Sequence, residues 1–95
     1  MKIIVKRAGY EPEVKEIESE LSEFQEIVKG YIECLPIGEN ILCVCNEEGK
    51  LRGLKPNFAV GNDIICGDAF FCSQGYEDFE SLNEYQIELI LNALK

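Results

Sequence analysis

Apolar and polar positions change their period several times along this chain, and those changes divide it into elements. Residues 2–7 alternate loosely around Ile3, Ile4 and Val5 and predict a strand, which Gly9 to Pro12 end in a turn. Val14, Glu16 and Glu18 alternate with Lys15 and Ile17, so a second short strand is expected to fold back on the first as a hairpin. From Ser19 the period lengthens. Leu21, Phe24, Ile27 and Val28 recur at helical spacing, with Glu20, Glu23, Gln25 and Glu26 on the other side, which predicts an amphipathic helix. Ser19 is its expected N-cap and Lys29 suits its end. Gly30 is expected to close it in the left-handed conformation.

Tyr31 to Pro36 and Ile41 to Asn46 are rich in β-forming residues, and the short link between them predicts an antiparallel hairpin. Ile41-Leu42-Cys43-Val44-Cys45 is apolar on both faces, so this strand should lie deepest in the sheet and be covered on each side. A polar turn follows at Asn46 to Lys50, with Gly49 expected to take positive φ, then a short Leu51 to Leu54 element and a break at Lys55-Pro56-Asn57. Ile64 to Cys66 and Ala69 to Cys72 read as one bent strand or two short ones, interrupted by Gly67-Asp68. Gly75 to Glu80 reads as a surface connection. Ser81-Leu82-Asn83-Glu84 matches a capping box, and Ile87, Ile90, Leu91 and Leu94 form the buried stripe of a terminal helix. The expected fold class is α+β, a single domain over 1–95, with about five strands in a small antiparallel or mixed sheet, two helices, and the order ββαββ(β)βα.

Composition narrows the function classes more than it selects one. Eighteen acids against nine bases give a net charge of −9. Glu11 to Glu26 hold seven of those acids. Phosphate backbones are bound by Lys and Arg, so direct nucleic-acid binding is not expected; Lys50, Arg52 and Lys55 make the only local basic patch. The apolar runs are strand-sized, against the about 20 residues of a membrane span, and the opening has too few apolar residues for a signal-peptide core. No membrane association and a cytoplasmic location are expected. Five cysteines, an odd number, sit in apolar strand-like runs and read as small core residues rather than a disulfide framework. A zinc site at Cys43, Cys45, Cys66 and Cys72 lacks the usual C-x2-C spacing, so neither metal nor cofactor is expected.

Chemistry is sparse. The chain has no histidine, which removes histidine-dependent triads and the commonest acid–base side chain. Neither G-x-G-x-x-G nor G-x-x-x-x-G-K-[ST] occurs, so the phosphate loops of nucleotide enzymes are missing as well. No catalytic residue is nominated, and the chain reads as a non-enzymatic protein.

Gly30-Tyr31-Ile32-Glu33, Asn46-Glu47-Glu48-Gly49-Lys50-Leu51, Gly53-Leu54, Pro56-Asn57, Asp63-Ile64-Ile65-Cys66-Gly67 and the Ser81-Leu82 helix start together resemble the domain of unknown function numbered 3846. The resemblance runs over nearly the whole chain, and its central asparagine-glycine-proline block is the most specific part. It implies a short protein of bacteria, phages and mobile elements, with no activity, cofactor or catalytic residue to carry over. The chain departs from the pattern in its five cysteines and in Phe58, where a basic residue would be expected after Asn57.

Asn46, Gly49, Gly53, Pro56 and Asn57 are turn formers that serve backbone geometry first. The functional alternative is that Tyr31, Glu33, Asn46, Lys50, Arg52 and Asn57 converge on one edge as a contact for a partner or a small anionic ligand. The leading expectation is a binding protein of phage or mobile-element type acting on a host protein through its acidic and loop surfaces. Two alternatives stand beside it: a module that binds or sequesters a nucleotide through the central loop block, and an acidic mimic of DNA.

Overall fold

A computed structural model describes all of residues 1–95. It contains β1 (Lys2–Lys6), β2 (Glu13–Glu16), α1 (Leu21–Val28), β3 (Ile32–Pro36), β4 (Ile41–Asn46), β5 (Pro56–Val60), β6 (Asp63–Cys66), β7 (Ala69–Gln74), β8 (Phe79–Glu80) and α2 (Glu84–Ala93). Six strands form the main sheet in the order β2-β1-β7-β4-β3, with β8 added beside β7, while β5 and β6 form a separate two-stranded hairpin. Every pairing is antiparallel. The fold is thus α+β, with more strands than the hydrophobic pattern predicts.

Alternation along the three central strands splits the core into two layers. Ile3, Val5, Leu42, Val44, Phe70 and Cys72 face one side, where Phe24 and Val28 of α1 cover them. Ile4, Ile41, Cys43, Cys45, Ala69 and Phe71 face the other, where Ile65 of β6, Leu82 and Ile90 of α2 close over them. A two-sided apolar strand can persist only when both faces are covered, which is the arrangement read from Ile41 to Cys45. Every residue of β4 is buried. Phe24 stacks against Phe70 and Phe79 with ring centroids 5.5 and 5.0 Å apart, and Phe58 of β5 meets Phe71 at 5.3 Å. No helix is long and apolar enough to cross a membrane.

Several local expectations are corrected. Pro56 and Asn57 do not break the chain. They open β5, and the register shift between Pro56 and Phe58 marks a bulge at Asn57. Gly61, at φ 59°, and Asn62 then form the hairpin turn between Val60 and Asp63. Ile64 to Cys66 and Ala69 to Cys72 accordingly fall in two short strands, the second of the two expected forms, and these lie in different sheets. The N-cap of helix α1 is Glu20, with no side-chain cap bond, so Ser19 does not serve. At its other end Lys29, not Gly30, is left-handed, at φ 63°. Gly49 lacks positive φ; its hydrogen is required because a Cβ would lie 2.3 Å from the carbonyl oxygen of Cys66. The capping box of α2 is shifted by two residues from Ser81 to Asn83, whose Oδ1 accepts from Gln86 N at 2.8 Å while Gln86 Oε1 accepts from Asn83 N at 3.0 Å. The connection at Gly75 to Glu80 holds the short strand β8.

Candidate functional site

The segment from Asn46 to Leu54 leaves the sheet as a series of tight turns, with Arg52 N donating to Glu48 O and Leu54 N to Gly49 O. Turns of this kind fan successive side chains outward in different directions, and the candidate residues follow. Asn46, at the end of β4 and 4% exposed, is directed beneath α1. Its Nδ2 donates to Val28 O at 3.0 Å and Lys29 O at 3.3 Å, while its Oδ1 accepts from Glu48 N at 2.8 Å. Arg52 reaches the same helix end and donates to Lys29 O at 2.9 Å. Together they satisfy carbonyls that a helix C-terminus leaves unpaired, and the cation suits the negative end of the dipole. Gly30 fits between them: a Cβ there would lie 2.7 Å from Asn46 Nδ2 and 3.0 Å from Arg52 Nη1.

Lys50 turns to the opposite layer and pairs with Asp63 at the start of β6. The ion pair holds the Asp63 carboxyl below its ordinary range and the Lys50 ammonium above its own. Both groups are solvent-exposed, so their mutual effect is screened and contributes little to stability. Glu33, Cys45, Asn46, Lys50, Asp63 and Cys66 share a shallow depression of about 150 Å³. Asn57 lies elsewhere, in a third setting: its Nδ2 donates to Lys6 O at 2.7 Å and Gly67 O at 2.9 Å, and its Oδ1 accepts from Lys6 Nζ at 3.0 Å. It ties β5 to β1 and to the turn before β7. Tyr31 is 69% exposed beside this block, and its carbonyl accepts from Glu47 N at 2.9 Å. The six residues do not form one site. Asn46 and Arg52 brace α1, Glu33 and Lys50 flank a shallow depression that Asn46 also lines, and Asn57 is a joint between layers.

The cysteines divide in the same way. Cys43 and Cys45 face the α2 side and Cys72 the α1 side, so the sheet separates the thiols that a shared zinc would need. No group of three or more His, Cys, Asp or Glu side chains is placed to hold a metal ion. Burial pushes the Cys72 thiol up to about 12, and contact with the Cys45 thiol together with burial pushes Cys43 up as well. Cys34 lies exposed on the edge strand β3.

Two concave surfaces are built from residues that the sequence reading did not nominate. One, of about 520 Å³, lies between the start of α1 and the β7–β8 turn. Phe24 and Phe79 form its floor, Leu21 and Tyr76 stand exposed at its rim, and Glu77 and Asp78 border it. The other, of about 510 Å³, is lined by Arg7, Tyr10, Lys29, Lys55 and Asp68 among others. Lys55 is a neighbour of Lys50 and Arg52 in sequence, but its side chain runs to Gly9, where Nζ sits 2.8 Å from the position of a Cβ. No local pattern joins Arg7, Lys29 and Lys55, which come from three distant segments.

The architecture defines a class: a small acidic α+β domain with a two-sided antiparallel sheet, whose central asparagines hold its layers together. The whole chain, residues 1–95, matches the family described as domain of unknown function DUF3846, and the protein belongs to that family. No curated protein and no solved structure matches it.

Proposed function

We propose that this is a non-enzymatic binding protein, of the phage or mobile-element type its family resemblance implies, which engages a host protein through the groove between α1 and the β7–β8 turn. The observation that carries this reading is the groove's composition. Its floor is the buried ring of Phe24 and the half-buried ring of Phe79, while at its edge Tyr76 is 99% and Leu21 56% exposed and Glu77 and Asp78 supply acid beside them. Glu18 and Glu20 adjoin it in the chain. Apolar surface rimmed by polar groups is how protein-binding patches differ from scattered exposed hydrophobes. A matching occupant has an apolar or aromatic anchor flanked by Lys or Arg, because anchors in pockets supply affinity and complementary charge supplies encounter rate. The absence of histidine and of phosphate-binding loops supports a binding role over a catalytic one.

Selection of a random peptide display library on the purified, reduced protein tests the proposal. The expected result is enrichment of basic segments carrying an aromatic or leucine, with binding weakened by salt and lost in the L21S/Y76A variant. Enriched peptides that bind L21S/Y76A as well as the native protein would overturn it, as would enrichment of acidic sequences.

A further inference from the structure

The cleft lined by Arg7, Tyr10, Lys29 and Lys55 has a charge pattern opposite to that of the molecule. Acids outnumber bases two to one in the chain, yet three of its nine cations line this one concavity, with Asp68 as their sole acidic companion there. Asp68 is already committed: Oδ1 accepts from Ala8 N at 3.0 Å and Oδ2 from Lys29 Nζ at 3.1 Å. Arg7 and Lys55 form no ion pair. Glu23 and Glu26 of α1 share the adjoining depression with Arg7 and Lys29, and neither comes within ion-pair distance. Like charges gathered at close quarters repel, so an arrangement that leaves them facing a common space is favourable when an anion occupies it.

The walls fit such an occupant. Gly67, at φ 93°, lines the cleft without a side chain, and the Tyr10 ring, 70% exposed, stands at its mouth without an aromatic neighbour within the stacking pairs of the fold. The volume of about 510 Å³ lies inside the range of small-molecule sites. We propose that this cleft binds a small phosphate-bearing molecule of nucleotide size, its phosphates held among Arg7, Lys29 and Lys55 and its planar ring laid against Tyr10. A guanidinium pairs with phosphate in bidentate fashion, ammonium groups add point charge, and a tyrosine face accepts any base without selecting one. The site is separate from the α1–β8 groove and does not depend on the role given to that groove.

Calorimetric titration with ADP, pyrophosphate and adenosine at low ionic strength tests it. ADP is expected to bind saturably, pyrophosphate more weakly, and adenosine not at all, with the ADP affinity falling as salt is raised. Arg7→Glu and Lys55→Glu should each weaken ADP by at least about tenfold, and Tyr10→Ala by about tenfold, because each removes one charged or stacking contact. All three positions are exposed, and the L21S/Y76A variant of the groove should bind ADP as the native protein does. Amide shifts in the native protein, followed by NMR during the ADP titration, should be confined to Arg7–Tyr10, Lys29, Lys55 and Gly67–Asp68, which keeps the test independent of any variant's folding. The proposal is overturned by absence of saturable binding for both ADP and pyrophosphate, by adenosine binding as tightly as ADP, or by shifts that map to another face.

Discussion

Replacing Asn46 by alanine removes three hydrogen bonds at once and separates the two readings of the central block. Val28 is wholly buried, and Asn46 Nδ2 is the side-chain donor to its carbonyl. Orphaning a buried carbonyl costs about 1–3 kcal/mol, and loss of the Oδ1 bond from Glu48 N adds about 0.5–1.5 kcal/mol where water replaces it only in part. Lys29 O keeps Arg52 as a partner at 2.9 Å, so the loss there is small. The expected destabilisation is therefore about 2–4 kcal/mol, a large share of the about 5–15 kcal/mol available to a domain of this size. Urea unfolding followed by far-UV circular dichroism should show the midpoint falling by about 1.5–3 M at an unchanged slope, and Tm dropping on the order of 10–25 °C. Lys50→Ala, which breaks an exposed ion pair screened by solvent, should unfold at nearly the native midpoint under the same conditions. A loss below about 1 kcal/mol for Asn46→Ala would refute the reasoning, since it would mean that the carbonyls of α1 find water or another donor without cost. Asn46 would then have no structural reason for its place and would return to the ligand-contact candidates.

The remaining predictions concern other joints of the fold. Gly49→Ala forces a Cβ against Cys66 O and should cost at least about 1–3 kcal/mol in the same unfolding assay, through separation of the turn from β6. Gln86→Ala removes half of the α2 capping box and the donor to Glu39 O and Ser73 Oγ, each at 3.0 Å; a loss of about 2–3 kcal/mol is expected. The Asp63 carboxyl carbon, followed by NMR, should titrate below the ordinary aspartate range and move back up in Lys50→Ala. A depressed folded value contributes stability above the unfolded pKa and loses it as pH falls through the folded one, while the raised Lys50 contributes below its unfolded pKa and loses its effect in the alkaline range. In native protein at pH 8, iodoacetamide should modify Cys34 first, even though burial raises its pKa, whereas Cys43 and Cys72 should react only as fast as the protein unfolds, as mass spectrometry of timed samples would reveal.

Legibility in the sequence followed the range of the forces involved. Burial on both faces of Ile41 to Cys45 could be read directly, and the stripe of α2 in part, with Ile90 buried and Ile87, Leu91 and Leu94 half-buried against the core, because hydrophobic period is a local record of which face is covered. Strand β5 was hidden because Pro56 and Asn57 signal a break, and only the bulge that absorbs them, together with the Gly61-Asn62 turn, lets the chain continue as a strand. The shift of a cap from Ser81 to Asn83 is a smaller instance: both residues suit the role, and Gln86, fixed by the turn at Glu39 and Asn40, decides between them. The candidate site was the least legible. Lys50, Arg52 and Lys55 are close in sequence, but the turns between Asn46 and Leu54 send their side chains to β6, to the end of α1 and to Gly9. The basic cleft is assembled by topology from Arg7, Lys29 and Lys55, so no window of sequence contains it.

Placing β1 between β2 and β7 has a kinetic consequence. During synthesis β1 has β2 as a hairpin partner almost at once, but its other edge waits for Ala69 to Phe71, which follow about 3–13 s later at synthesis rates of about 5–20 residues per second. During that interval α1 can already cover Ile3 and Val5, but Ile4 on the other face has no cover, since α2 comes later still. The nascent chain should therefore be a client of chaperones that hold exposed strands, and refolding of the finished protein should be governed by the closing of β1 on β7, on the millisecond-to-second scale of non-local pairing rather than the microseconds of its helices.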